Sequence, residues 1–265
     1  MSDEPHPLDV VAPARIAKLV EEVAIRKAKL SFIPTLTLSV LAGAFIAFGA
    51  MFYTMTITGS ELGFGPTRLL GGIAFSLGLI LVIIGGAELF TGNSLIVMGW
   101  ASRRITTGAL LRNWVIVYFG NLIGALATAL LMHLSGILLA GDGSVGVTAD
   151  MIAASKMALD PLQAFFRGIL CNILVCLAVW MCFAAHSVSG KVLVIIFPVM
   201  AFVSLGFEHS VANMYLIPVA MLHTGLIDVG AFLFNLLVVS AGNIVGGGLL
   251  VALVYWLAYI RSQAD

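Results

Sequence analysis

Charge is scarce in this sequence. Thirteen lysines and arginines and thirteen aspartates and glutamates make up 10% of 265 residues, and the formal net charge is zero. Neither sign predominates, which excludes the basic surface a nucleic-acid binder needs, so no nucleic acid is expected as a partner. Cysteine is sparse too. Cys171, Cys176 and Cys182 lie in one apolar run, too few and too close for a disulfide framework or a zinc site. His133, His186, His209 and His223 are scattered over different segments. They offer no clustered ligand set for a membrane-embedded metal enzyme, and neither an enzyme nor a cofactor is expected. The dipeptide Asn-Pro does not occur, so the Asn-Pro-Ala motifs of a water or glycerol channel are missing. What is abundant is apolar: 61% of the chain, against roughly 45–50% in ordinary globular proteins, with a mean hydropathy of +1.11. That excludes a disordered chain and a water-soluble domain. A polytopic membrane protein remains, with lipid around it.

A membrane helix needs about 20 mostly apolar residues. Six segments qualify, at about 32–58, 67–100, 107–139, 157–185, 192–222 and 227–260. The expected fold class is all-α, with six transmembrane helices over residues 30–261. Residues 1–29 form a cytoplasmic helical segment and residues 262–265 a cytoplasmic tail. No cleavable signal peptide is evident. Ala12 to Lys29 instead puts Ile16, Leu19, Val20 and Val23 on one helical face, as in a helix that lies at an interface or gates a path. Lysine and arginine set the orientation. Arg15, Lys18, Arg26, Lys27, Lys29, Arg103, Arg104, Arg112, Lys191 and Arg261 fall on one side, leaving Arg68, Lys156 and Arg167 on the other. Ten against three puts both termini in the cytoplasm, and the loop Gly141–Ala154 outside.

Two segments are interrupted. The pattern Gly-x-Glu-x-x-x-x-Asn occurs as Gly86, Glu88, Asn93 and again as Gly206, Glu208, Asn213, at an offset of 120 residues. Asn121-Leu-Ile-Gly124 and Asn243-Ile-Val-Gly246 follow at an offset of 122. The chain therefore reads as two repeats of three spans each. An odd number of spans inverts the second repeat, and breaks at matching positions mark the midplane path of many transporters and channels. A helix broken in hydrocarbon exposes backbone groups at several kcal/mol each unless a polar cavity or protein partners receive them. Two helices merely kinked at glycine are the plainer account.

Glu88, Glu208 and His209 are the ionisable groups deepest in the membrane. A charge at the bilayer centre costs on the order of 2.5–3.5 kcal/mol, so such groups are paired or functional. For Glu208 and Glu88 the favoured role is to brace the break by accepting backbone N–H bonds. Asn93 supports the first break with Glu88, and Asn213 is expected at the pore centre with His209 and Glu208. His209 has Leu89 at the equivalent place in the first half, so the repeat does not demand an imidazole there. It lies four residues from Asn213 and seven from Phe202, on one face if helical phase survives the break. Imidazole titrates near physiological pH and can donate or accept. Around the breaks stand Phe75, Leu79, Leu89, Phe90, Val175 and Phe202, which either pack or form dewetting constrictions. Phe75 falls on the outer side, Leu89 and Phe90 nearer the cytoplasm. Asn172 is near Val175 in the fourth span. Lys156 opens that span outside, either drawing in anions or simply solvated.

The stretches Gly86-Ala-Glu-Leu-Phe-Thr-Gly-Asn93 and Gly206-Phe-Glu-His-Ser-Val-Ala-Asn213 resemble the signatures of the formate/nitrite transporter family, in particular its bacterial formate-channel branch. The resemblance covers almost the whole chain. It implies an aquaporin-like arrangement of six helices in a homopentamer with one pore per protomer, in the bacterial inner membrane. It implies that His209 is the central pore histidine, assisted by Thr91 and Asn172, with Glu208 as its support. It also implies that Phe75, Leu79, Leu89, Phe90, Val175 and Phe202 form two constrictions. Lys156 would stand on the external access route, the N-terminal helix would gate, and a cytoplasmic formate-producing enzyme would be a partner. The expected function is a bidirectional channel for formate and related small monovalent anions. Formate has an acid pKa of roughly 4 and arrives charged. Apolar constrictions oppose a bare anion, and His209 could protonate it or hydrogen-bond it. Simple channelling and proton-coupled symport both stay open, as does a nitrite or hydrosulfide substrate.

Overall fold

The computed structural model describes residues 11–261. The tail expected at 262–265 lies outside them, as do residues 1–10. Every regular element among the described residues is a helix. Helix α1 (Pro13–Lys29) opens on proline, whose missing N–H is no loss in a first turn. It closes on Arg26, Lys27 and Lys29, cations suited to a helix C-terminus. Its Ile16, Ala17, Val20 and Ala24 are buried together with Leu95, Ile96, Val97 and Met98.

Helices α2 (Phe32–Ile57) and α3 (Phe64–Gly85) follow, then a 3-10 turn (Gly92–Ile96) and the short α4 (Val97–Ala101). Next come α5 (Thr107–Leu134), α6 (Ser144–Met157) and α7 (Pro161–Ala184). The side chains of Thr106 and Asp160 accept from backbone N–H groups in the first turns of α5 and α7, each satisfying a donor the helix leaves free. After α8 (Val188–Ser204) and α9 (Ser210–Thr224), α10 (Val229–Ile244) runs on through π-helical turns at Val245–Leu253 into α11 (Val254–Tyr259).

Among the described residues, five helices are long and apolar enough to cross a membrane: α2, α3, α5, α7 and the continuous rod Val229–Tyr259. The segment expected at 192–222 is divided into α8, of 17 residues, and α9, of 15. Gly206 at φ +70 ends α8, as Gly86 at φ +77 ends α3, a left-handed backbone that glycine adopts without steric cost. Every residue from Ser210 to Ala220 is buried, so α9 is covered on all sides and occupies the centre. The outer helices α5, α8 and α10 leave Leu131, Phe197 and Leu237 exposed, an exterior suited to lipid or to another subunit.

One expectation is corrected. Gly141–Ala154 is not a loop: most of it is α6, because Val145, Ala149 and Ala153 recur every four residues and bury a small apolar face. Lys156 therefore sits in the last turn of α6, and the next span begins at Pro161. One close crossing holds each half together internally. A methyl group on Gly124 would collide with the carbonyl of Val40, and one on Gly246 with that of Ile169, so small residues let these helices touch backbone to backbone.

Candidate functional site

The two breaks are sewn shut by asparagines rather than by the glutamates. At the first, the Phe90 N–H donates to Asn121 Oδ1 at 2.9 Å, while Asn121 Nδ2 donates to the carbonyls of Ser39 (2.7 Å) and Glu88 (2.9 Å). At the second, the Ser210 N–H donates to Asn243 Oδ1 at 3.0 Å, and Asn243 Nδ2 donates to the carbonyls of Gly168 (2.8 Å) and Glu208 (2.9 Å). Backbone groups that a broken helix would strand in hydrocarbon are thereby paired.

The glutamates do something else, which corrects the expectation that they accept backbone N–H bonds. Glu208 Oε1 takes the Lys156 ammonium at 2.9 Å and Oε2 takes Asn213 Nδ2 at 2.7 Å. Asn213 also donates to Asn235 Oδ1 at 2.9 Å, and Asn235 Nδ2 donates to the Lys156 carbonyl at 3.2 Å. The first half repeats the cluster. Lys27 Nζ lies 3.1 Å from Glu88 Oε1, Asn93 Nδ2 donates to Glu88 Oε2 (2.7 Å) and Asn113 Oδ1 (3.0 Å), and Asn113 Nδ2 donates to the Lys27 carbonyl (3.3 Å). A buried carboxylate needs a countercharge and hydrogen bonds together, and each cluster supplies both. Lys156 is thus an ion-paired residue with a side chain only 14% exposed, not a solvated one. The clusters differ in one respect: Lys27 also donates to Asn93 Oδ1 at 2.8 Å, whereas Asn213 Oδ1 has no partner.

Between the clusters lies His209. It caps α9, its Nδ1 accepting from the Ala212 N–H at 3.0 Å, and its Nε2 lies 2.9 Å from Thr91 Oγ1. Because Nδ1 accepts, the neutral ring carries its hydrogen on Nε2 and donates to Thr91, leaving the threonine hydroxyl hydrogen to point elsewhere. Asn172 Nδ2 ties the breaks to each other through the carbonyls of Thr91 (3.2 Å) and Asn243 (2.7 Å), with Ser94 Oγ at 3.1 Å, and its Oδ1 has no partner. The helical phase expected from Phe202 to Asn213 does not survive. His209 stacks on Phe202 (6.0 Å, 14° between planes), while Asn213 turns to Glu208.

Two cavities approach this centre and share no lining residue. One, of about 260 Å³, is lined by Lys27, Leu79, Glu88, Leu89, Asn93 and Lys191 among others. The second, of about 210 Å³, is lined by Tyr53, Arg68, Phe75, Lys156, Arg167, Phe202, Glu208 and His209 among others. Phe75 and Phe202 meet edge to face at 5.7 Å in its wall. Thr91, Asn172 and Val175 line neither cavity and lie buried. Phe90 turns its ring to Tyr118 (4.9 Å) and Trp114 (6.3 Å) on α5.

The model for the formate/nitrite transporter family matches residues 14–257 of this chain. The chain belongs to the formate/nitrite transporter family. Its sequence is 42% identical to the formate channel FocA of Escherichia coli K12, over 97% of this chain and 98% of the relative. It is 40% identical to a probable formate transporter of Methanothermobacter thermautotrophicus, over 95% of this chain and 98% of the relative. Among solved structures, a pentameric formate channel with formate bound superposes with a TM-score of 0.77 at 42% identity, covering 85% of this chain and 96% of that one. An ion channel of the same family superposes at 0.85 with 31% identity, covering 92% and 98%.

Sequence reasoning about this family member missed Lys27, Asn113 and Asn235. A signal for the asparagines was present, since Asn113 and Asn235 share the 122-residue offset of Asn121 and Asn243. Lys27 and Lys156 stand 129 residues apart, because the connection between the lysine and the break differs in length between the halves, and that offset hid the match.

Proposed function

We propose that this chain is a bidirectional membrane channel for formate and related small monovalent anions. The six expected crossings would lie as two inverted halves in the aquaporin-like manner, and the two cavities would be the ends of one path through His209 and Thr91. The observation that carries this reading is the pair of matched Lys–Glu–Asn clusters on either side of the His209–Thr91 contact. Each cluster keeps a cation beside an apolar wall at a helix break, as a path for small anions requires. Relatives named as formate channels or transporters, and a solved one with formate bound, favour formate over nitrite and hydrosulfide. The pentamer of that solved relative supports a homopentamer here. The lysine and arginine distribution supports cytoplasmic termini, with the Lys156-side cavity facing out. A bacterial inner membrane and a cytoplasmic formate-producing enzyme as partner belong to the same proposal.

In the neck, Phe75 with Phe202 on one side and Leu79 with Leu89 on the other would oppose a bare anion. A neutral His209 offers one N–H, which can hydrogen-bond formate in place of Thr91. To give formate a proton, the ring must first be an imidazolium. An imidazolium carries a hydrogen on Nδ1 as well and loses the bond from the Ala212 N–H. Proton delivery and an intact α9 cap therefore exclude each other, and acid would act on the start of α9 as well as on the anion. Uptake into protein-containing vesicles tests the reading. Formate should enter faster than nitrite, hydrosulfide or glycerol, and faster into vesicles with the protein than without. Glycerol flux above formate flux would overturn it.

A further inference from the structure

The three basic residues that the sequence assigns away from the cytoplasmic side, Arg68, Lys156 and Arg167, all line the smaller cavity. The carboxylate there, Glu208, is taken by Lys156. The two arginines converge on Gly206: a methyl group on that glycine would lie 2.8 Å from Arg68 Nη2 and 3.9 Å from Arg167 Nη1. Among the described residues neither arginine forms an ion pair. Arg68 Nε donates to the Ser204 carbonyl at 2.8 Å and Arg167 Nη1 to the Gly206 carbonyl at 3.4 Å. Two guanidinium groups facing one glycine repel each other, so the arrangement has a cost that some benefit must offset.

Capping the last carbonyls of α8 would be the simplest benefit. The first half argues against it. There α3 ends on Gly86 in the same left-handed conformation, and nothing lies within 4 Å of a methyl group built on it. The Glu208 N–H donates to the carbonyl of Arg167, as the Glu88 N–H donates to the carbonyl of Leu38. Leucine thus holds, in one half, the post that arginine holds in the other. The break closes without a guanidinium, so the arginines are positive charge added to one cavity.

We propose that Arg68 and Arg167 form a capture site for small carboxylates in the wall of the cavity that also holds Lys156 and His209. This rests on the formate reading and adds a specific binding step to it. A guanidinium matches a carboxylate with two parallel N–H bonds, and two of them in a cleft with apolar walls concentrate anions there. The other cavity has Lys27 and Lys191 against Glu88, a smaller excess of positive charge, so capture is one-sided.

The test compares wild type with Arg68→Gln/Arg167→Leu, the second change copying Leu38, and with Arg68→Lys/Arg167→Lys. In vesicles of known orientation at low ionic strength, the first variant should raise the half-saturating formate concentration about tenfold for flux starting at the Lys156 face. Flux starting at the Lys27 face should keep its half-saturation, and the difference should shrink in high salt. The lysine variant keeps the charge but not the paired N–H bonds, so its half-saturation should fall between wild type and the first variant. Independently, solubilised wild-type protein should broaden the carbon-13 resonance of labelled formate and the first variant should not. Wild-type vesicles that carry no formate, with broadening still lost in the variant, would sink the channel reading and leave the capture site standing. Absence of broadening by wild type, or equal broadening by both proteins, would overturn the capture site. So would equal losses of maximal flux from both faces at unchanged half-saturation, which would reduce the arginines to caps on α8.

Discussion

His209 Nε2 lies 2.9 Å from the hydroxyl of Thr91, so the residues that open the two inner half-helices meet in the middle of the molecule. One caps α9 and the other starts the 3-10 turn at Gly92. A change at either is felt at both breaks.

His209→Asn keeps a capping side chain for the Ala212 N–H, and His209→Gln keeps a polar group that caps poorly. Neither titrates. Both variants should assemble, with glutamine the less stable by roughly 0.5–2 kcal/mol. Under proton delivery by His209, formate flux should lose its pH response in both, and import should fall more than export. Flux in each direction across a pH series, at equal protein level, checks this. Fluxes identical to wild type at every pH would leave His209 a cap alone.

In the Lys156–Glu208 pair the carboxylate is buried and the lysine only 14% exposed, whereas Lys27 beside Glu88 is 28% exposed. Glu208→Ala strands an ammonium and should cost about 3–5 kcal/mol. Glu208→Gln, which still offers the lysine an acceptor, should cost less. Glu88→Ala should cost less than Glu208→Ala, since water reaches Lys27 and Asn93 also holds it. Thermal unfolding in detergent ranks the three, and the double variant Lys156→Met/Glu208→Gln should recover part of the loss. A milder Glu208→Ala than Glu208→Gln would contradict the ion-pair account.

Asn121→Leu and Asn243→Leu should fail alike. Each removes three hydrogen bonds and leaves one N–H and one carbonyl at the break unpaired, at about 1–3 kcal/mol per buried group, while the carbonyls of Ser39 and Gly168 keep their helical partners. The sum, a few kcal/mol, is a large share of a folding free energy. The yield of folded protein in detergent is the measurement. Normal assembly of one variant beside loss of the other would show that the two breaks are not supported in the same way.

Reporter fusions check the orientation. Fusions after Arg104 and at the C-terminus should report cytoplasm. A fusion in the turn Gly141–Gly143, which precedes α6 and leaves that helix whole, should report the outside. An external C-terminus would remove the six-crossing scheme.

Much of the fold was legible because one-dimensional patterns carried it. Apolar runs longer than a bilayer is thick have few alternatives, and α2, α3, α5, α7 and the Val229–Tyr259 rod follow them. Gly86 and Gly206 marked the breaks because a left-handed turn selects glycine. The helix α6 was not legible. Its buried face of Val145, Ala149 and Ala153 is too small and too mildly apolar to stand out from a loop, and it becomes a face only against α9.

The sequence by itself determined that this chain spans a membrane, where its helices break, and that Glu88, Glu208, Asn93, Asn213 and His209 stand at the breaks. Composition and spacing suffice for that, since a charge or a glycine in an apolar run is costly wherever the run folds. Only the tertiary structure decided the partners. Lys27 is 61 residues from Glu88 and Lys156 is 52 from Glu208, and no local rule ties residues so far apart. The same holds for Arg68 and Arg167, which a sequence reads as two separate charges on one side of a membrane. They share one glycine because α3 and α7 both pack on α8, and that packing belongs to the folded molecule alone.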